Sequence, residues 1–498
     1  MVRAVRGWWK DIERWYVAVG LANLALGVSS VLIPLTIDRV FDGSVASVGV
    51  LASLVSLVGV IGSLIWGRLS DVAHRRKPFI VLGYATVGLS FLAISIAQSF
   101  RQLAILNMLM NFFWVANASV TVLIVIENCD ESAWERRISH LNQFGAIGWV
   151  LGLAVGSLWM RWVPAVFNEV GAIRGLYLLM GLLGLSASAI VTFTIPRTIP
   201  RYTQRQFRGA LLALGNFITE RARFSPLHLY HRLHPRRIFD QLVHPEGFRV
   251  GTKRFLFSTL VSFVGLGFFG IPLPMLLTEQ FGFSSASVFF VFLLQHVGIV
   301  FAYPLASRRI RRSGNRRVQI RSLWIRGLLF GGFAAYLAIA QRAPSMAVLL
   351  VGFIVYGVTW SYFQLSGIAL TSRLASEQNR GLALGFYNAI AGIGWILAGL
   401  GGGLLARHVG YAVTFATAAA LLGVSLIILR LVPDPTDAVE AISDGADAAR
   451  SEPADTDRAS ESPAAAATRT APTCPQARPL TNANSAIRTG TPLAACRK

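Results

Sequence analysis

Acidic side chains are scarce in this chain: Asp and Glu number 24 among 498 residues, against 46 Lys and Arg, for a formal net charge of +22 at pH 7. In the long apolar stretches they all but vanish. Asp38 and Glu279 stand near the ends of two stretches on one side, Glu127 at an end on the other, and no carboxylate stands in the middle of any. An enzyme embedded in a membrane would need acids, histidines, or a nucleophile and its base clustered at one depth, and no such cluster exists here. Cysteine is rarer still. Cys129, Cys474 and Cys496 are the three, two of them in a polar tail, so neither a disulfide framework nor a metal-thiolate site is indicated. His228, His231 and His234 are spaced like metal ligands but lie among arginines without acidic or cysteine partners, so no metal and no cofactor is expected. The N-terminus also lacks a short apolar segment followed by a small-residue cleavage site, so the first apolar stretch is expected to remain as a signal anchor.

What the chain has is apolar length. It is 54% hydrophobic and 14% charged, where soluble globular chains run at roughly 45–50% apolar and about 25% charged. Twelve runs are long enough to cross a bilayer as helices, near 15–36, 45–66, 78–98, 102–126, 139–160, 174–195, 254–278, 284–306, 321–340, 345–370, 382–405 and 411–432. The basic excess could suggest nucleic acid, but its placement points elsewhere. On one side the loops carry only Arg39, Arg101, Arg161, Arg174, Arg342 and Arg407, while the side holding the N-terminus carries the basic clusters. The positive-inside rule puts both termini and the long middle loop in the cytoplasm of a multi-pass cell-membrane protein. Anionic lipid, not nucleic acid, is the expected partner of that basic face.

Two windows of the chain repeat each other. Asn142 to Arg161 reads against Asn388 to Arg407 without a gap, with eight of twenty positions identical, among them Ile147-Gly148-Trp149 and Ile393-Gly394-Trp395. Leu26-Gly27, Pro34, Phe41, Ser44 and Ala46-Ser47-Val48 recur as Leu266-Gly267, Pro274, Phe281, Ser284 and Ala286-Ser287-Val288. The twelve spans split six and six. Because six is even, both halves enter the membrane from the same side, which predicts an all-α fold of two parallel six-helix repeats related by an axis along the membrane normal. The expected units are a first bundle over 1–195, a basic cytoplasmic linker over 196–252, a second bundle over 253–432, and a tail over 433–498 too poor in large apolar residues to fold.

Between the second and third spans stands Gly67-Arg68-Leu69-Ser70-Asp71-Val72-Ala73-His74-Arg75-Arg76. With twelve spans and an internal repeat, this segment resembles the signature loop of the major facilitator superfamily, through Gly67, Leu69, Ser70, Asp71, Arg75 and Arg76. His74 replaces the family's usual turn glycine and Val72 its usual basic residue. The resemblance implies a gating role: an aspartate at a helix junction binds exposed amides at a neighbouring helix N-terminus in one conformation and releases them in the other. The partner loop has Ser307 at the acidic position, so the gate is expected to be asymmetric. Two further connections, Glu127 with Arg136 and Glu377 with Arg380, look like the family's acidic-then-Arg loops and are expected to clamp the inner ends of the two halves; ordinary solvated loop charge is the alternative.

The fourth span presents Asn107, Asn111, Trp114, Asn117 and Thr121 within about 120° of helical arc. Amides facing lipid would cost several kcal/mol each, so the stripe is expected to line a substrate cavity or to bond to partner helices. The tenth span shows Tyr356, Trp360 and Gln364 on one face, the eighth Gln295 and His296, and the first Asn23. His296 and Asp38 are the candidate proton-coupling groups. The family resemblance implies alternating access and coupled transport of a small organic solute, with export as the first expectation and uptake or uniport of a sugar or organic acid as the rival. The drug-exporter branch usually carries an arginine near Asn107 and a proline in the fifth span, and this chain has neither. A monomer is expected, and a non-transporting membrane sensor is the alternative of another class.

Overall fold

In lipid a backbone must satisfy its own hydrogen bonds, so long apolar stretches have helices to build with and little else. The computed structural model of the chain describes residues 13–73, 77–127, 134–195, 251–340, 344–374 and 380–432, and among them every regular element is helical. Side chains in these helices are described except at 63–64, 67–73, 116, 118–120, 122–123, 125–127, 134–136, 138–139 and 380–382. All described residues fall in the compact unit Met1–Ile442.

Twelve long helices follow in order: α1 (Tyr16–Arg39), α2 (Val45–Ala73), α3 (Lys77–Ser95), α4 (Phe100–Glu127), α5 (Trp134–Trp162), α6 (Pro164–Thr194), α7 (Thr252–Gly270), α8 (Ser285–Ser313), α9 (Asn315–Ile339), α10 (Met346–Leu374), α11 (Arg380–His408) and α12 (Tyr411–Arg430). Among the described residues eleven spans are long and apolar enough to cross a membrane, and α4, at 28 residues, has the length of a twelfth. Helix ends overrun the apolar runs: α2 continues to Ala73, α5 begins at Trp134, α6 at Pro164, and α8 ends at Ser313. Hydropathy marks the part that faces hydrocarbon, whereas the hydrogen-bond ladder carries on through polar ends at headgroup level.

Two irregularities have local causes. α6 breaks at Asn168, whose φ of 59° lies outside helix space, and its Oδ1 accepts the Gly171 N–H at 2.7 Å to restart the ladder as an N-cap. α7 gives way at Pro272 and Pro274, which have no N–H to donate, to a short turn, Leu273–Met275, and then a π-helical turn, Leu276–Gln280.

Helix pairing displays the internal repeat. In the first half α1 packs on α5 and α6, α3 on α4 and α6, and α2 on α4; in the second, α7 packs on α11 and α12, α9 on α10 and α12, and α8 on α10. Adding six to each helix number converts the first set into the second. The two main contacts between the halves, α2 with α11 and α5 with α8, also exchange under that operation, as a two-fold axis requires. Close approach depends on glycine, as in many membrane bundles. A Cβ at Gly148 of α5 would run into the Gly20 carbonyl of α1, and a Cβ at Gly394 of α11 would press on Phe263 of α7.

Candidate functional site

The helices alternate in direction, so α1, α3, α5, α7, α9 and α11 start on the N-terminal side of the bundle and the even-numbered helices start on the far side. Contacts between the halves among the described residues concentrate toward the far side. On one seam Ser53 Oγ donates to the Ile396 carbonyl at 2.7 Å, Gly49 lies directly on Gly399, and Arg407 Nη1 donates to Ser44 Oγ at 2.6 Å. On the other, Ser157 Oγ donates to the Ala286 carbonyl at 3.1 Å, Phe289 fills the space that a side chain at Gly156 would need, and Ser285 Oγ donates to Glu169 at 2.5 Å.

On the N-terminal side of these contacts the halves enclose a cavity of about 340 Å³, walled by α1, α3, α4 and α5 of the first half and α8 of the second. Asn23, Tyr84, Trp114, Asn117, Thr121, Asn142, Trp149, His296 and Tyr303 supply its polar and aromatic surface. Another cavity, of about 300 Å³, lies inside the second half between α7, α9 and α10 with an aromatic and aliphatic lining, and touches only that half.

Each polar side chain in the first cavity is set by its helix. Asn23 Nδ2 donates to the Val19 carbonyl one turn back at 2.8 Å, which leaves its Oδ1 available. Asn117, only 1% exposed, has neither its amide nitrogen nor its oxygen paired. Thr121 Oγ1 donates to the Asn117 carbonyl at 2.6 Å. The rings of Tyr84 and Trp114 stack 6.1 Å apart at 27°, and Trp149 stacks on His296 across the halves at 5.8 Å and 22°. His296 Nδ1 lies 2.9 Å from the Phe292 carbonyl, which can only accept, so Nδ1 carries the proton and Nε2 keeps a lone pair in the neutral ring. The indole Nε1–H of Trp149 is buried without a partner. The wall thus offers one imidazole acceptor, one indole donor, a complete free carboxamide and ring faces, and no carboxylate.

Other expected site residues stand elsewhere. Asn107 and Asn111 bond to each other, Nδ2 of Asn111 to Oδ1 of Asn107 at 2.9 Å. Tyr356 packs inside the second half against Phe269, Phe330 and Phe353. Trp360 packs on Phe263 and Phe363, while the Oε1 atoms of Gln295 and Gln364 are buried without partners. Asp38 sits at the far end of α1, 3.3 Å from the Arg39 guanidinium. The side chains of Leu69, Ser70, Asp71, Glu127, Arg136 and Arg380, and the whole of Arg75, Arg76, Glu377, residues 196–250 of the linker and the tail, lie outside the described residues, as does any side-chain contact at Gly67, while the linker's last two expected residues, Gly251 and Thr252, cap and open α7. Tyr84, Asn142, Trp149 and Tyr303 were not among the expected wall residues; the Asn142/Asn388 and Trp149/Trp395 matches within the repeat were the available signal for two of them.

The fold of these twelve helices has counterparts in known proteins. The family described as Major Facilitator Superfamily matches residues 15–240 and 255–492, and the chain belongs to that superfamily. Among its relatives is an uncharacterised MFS-type transporter of Methanocaldococcus jannaschii, 20% identical over 374 residues, 75% of this chain and 83% of that protein. A bicyclomycin resistance protein homolog of Haemophilus influenzae is 23% identical over 301 residues, 58% of this chain and 67% of the relative. Solved structures of similar fold include a partially occluded, inward-open form of the xylose transporter of E. coli, with TM-score 0.60, 13% identity, and coverage of 84% of this chain and 97% of that one. A POT family transporter in complex with a thioalcohol-conjugated peptide has TM-score 0.65 and 11% identity, covering 86% and 95%.

Proposed function

We propose that this chain carries a small organic solute across the cell membrane by alternating access, with export as its direction. The observation that carries the reading is the cavity between the halves, shut off on the far side by two tight seams. The side bearing the basic loops is assigned to the cytoplasm, so this form faces inward, with both termini cytoplasmic, the protein acting as a monomer and anionic lipid meeting the basic face. The likeness to the bicyclomycin resistance homolog supports export. His296 is the proton-coupling candidate within the cavity wall, since it is the one imidazole among the lining residues and its stack on Trp149 joins the halves. Asp71, with Arg75 and Arg76, gates the inner face; Glu127 with Arg136 and Glu377 with Arg380 clamp it.

Reconstituted vesicles test this. Purified protein is screened by thermal shift against antibiotics, sugars, amino acids and organic acids at two pH values, since any ligand of the folded state raises its apparent stability. Solutes that shift it are then assayed for movement with and without an imposed pH gradient. Gradient-driven movement out of the cytoplasmic face, lost in His296→Gln, is expected. Movement down the solute gradient alone, unchanged by pH, would instead establish uptake or uniport of a sugar or organic acid, and binding without movement would establish a sensor.

A further inference from the structure

At the middle of α9 lies Arg326, 0% exposed and one of the largest fully buried side chains in the protein. Its Nη2 donates to the Tyr356 carbonyl at 2.7 Å, and its guanidinium carbon stands 4.6 Å from the Tyr356 ring centre and 5.4 Å from that of Trp360. Nε and Nη1 are buried with no acceptor. Among the described residues no carboxylate pairs with them. From Thr252 to Val432 the sequence has two acids, Glu279 and Glu377. Glu279 accepts a hydrogen bond from Tyr411 at the far end, and Glu377 follows the end of α10, about 27 Å of helix beyond Tyr356. A buried cation with two ring faces and unspent donors, but no counter-charge, is costly in a membrane bundle and marks a place for an anion from outside the chain.

The repeat says where that place belongs. The offset of 246 that aligns α5 with α11 also sets Trp114 of α4 on Trp360 of α10. In the first half α3 lays Tyr84 on Trp114, and both line the cavity. In the second half α9 lays Arg326 on Trp360. Arg326 therefore holds the position that Tyr84 holds in the other repeat, with a guanidinium in place of a phenol.

We propose that Arg326 and Trp360 form the second-half wall of the transport site, a subsite that takes the carboxylate of a planar, ring-bearing substrate. The carboxylate oxygens accept from the guanidinium, and the substrate ring lies against the Trp360 indole. Trp360, half-buried here, covers the subsite in this inward-facing form and uncovers it as the halves rock. The inference rests on the transporter reading and narrows its substrate class to organic anions.

Matched pairs of probes decide it: benzoate against benzamide and indole-3-acetate against indole-3-acetamide, titrated calorimetrically into the full-length purified protein. At least one carboxylate should bind on the order of tenfold or more tighter than its amide. Arg326→Gln should erase that preference while leaving the amide within about twofold, and Arg326→Lys, which keeps the charge, should retain part of it. Equal binding of acid and amide, no binding by any acid, or a preference that survives Arg326→Gln would each overturn the subsite. If the Gln variant does not fold, the wild-type pairs and the Lys variant still decide. A neutral solute that moves across vesicles while every carboxylate fails would remove the subsite and leave the transporter. Carboxylates that bind through Arg326 but never cross a vesicle would remove the transporter and leave the subsite.

Discussion

Asn117 presents an entire carboxamide to the cavity wall with no partner. A buried, unpaired amide destabilises the fold by about 1–3 kcal/mol, and an apolar side chain of similar size removes that cost. Asn117→Leu should leave the thermal midpoint unchanged or raise it by a few degrees, while vesicle transport falls on the order of tenfold; a lower midpoint with full transport would make it a packing residue. Asn111→Leu should do the reverse in stability, because it strands Asn107 Oδ1, which now accepts from Asn111. Helical periodicity put Asn107, Asn111, Trp114, Asn117 and Thr121 on one stripe, but it carries no information about what each level of the stripe meets. The structure divides them: Trp114, Asn117 and Thr121 face the cavity, and Asn111 donates to Asn107. Trp149 stayed hidden because an indole in a glycine-rich helix reads as packing until its neighbour across the halves, His296, is seen.

Helices meet where glycine lets them, and the seam between α2 and α11 is the most demanding place. A Cβ at Gly399 would collide with Ser53 Oγ and the Gly49 carbonyl, neither of which has a flexible stem to retreat along. Gly399→Val should hold the far ends apart and shift the population toward the form open on that side, seen as a longer distance between spin labels placed at the far ends of α2 and α11. An unchanged distance would mean that the seam yields by backbone shift. At the opposite ends, Asp71→Asn should slow transport and leave substrate affinity within a few fold, since the proposed gate acts on the rate of switching; lost affinity at normal turnover would refute it. The number, order and pairing-ready repeat of the helices were legible from apolar runs of about 20 residues. Their ends were not, because polar helical turns look like loops to hydropathy. Nor were the restart at Asn168 and the π turn after Pro274, which depend on single backbone angles.

At the scale of the whole chain, the two-fold relation of the halves holds for the main helix pairs but is broken in chemistry. A tail so poor in large apolar residues predicts that a chain ended after residue 435 folds and transports as the full chain does, and loss of either would give the tail a role. The two seams differ as well. One joins α2 to α11 through glycine backbone and the hydrogen bonds of Ser53 and Arg407, without an aromatic ring; the other joins α5 to α8 through Phe289 seated at Gly156 and the Trp149–His296 stack. Parting the first wets almost no aromatic surface, while parting the second strips two ring contacts. The halves should therefore swing like a door, with the glycine edge as the opening side and the aromatic edge, which borders the cavity, as the hinge post.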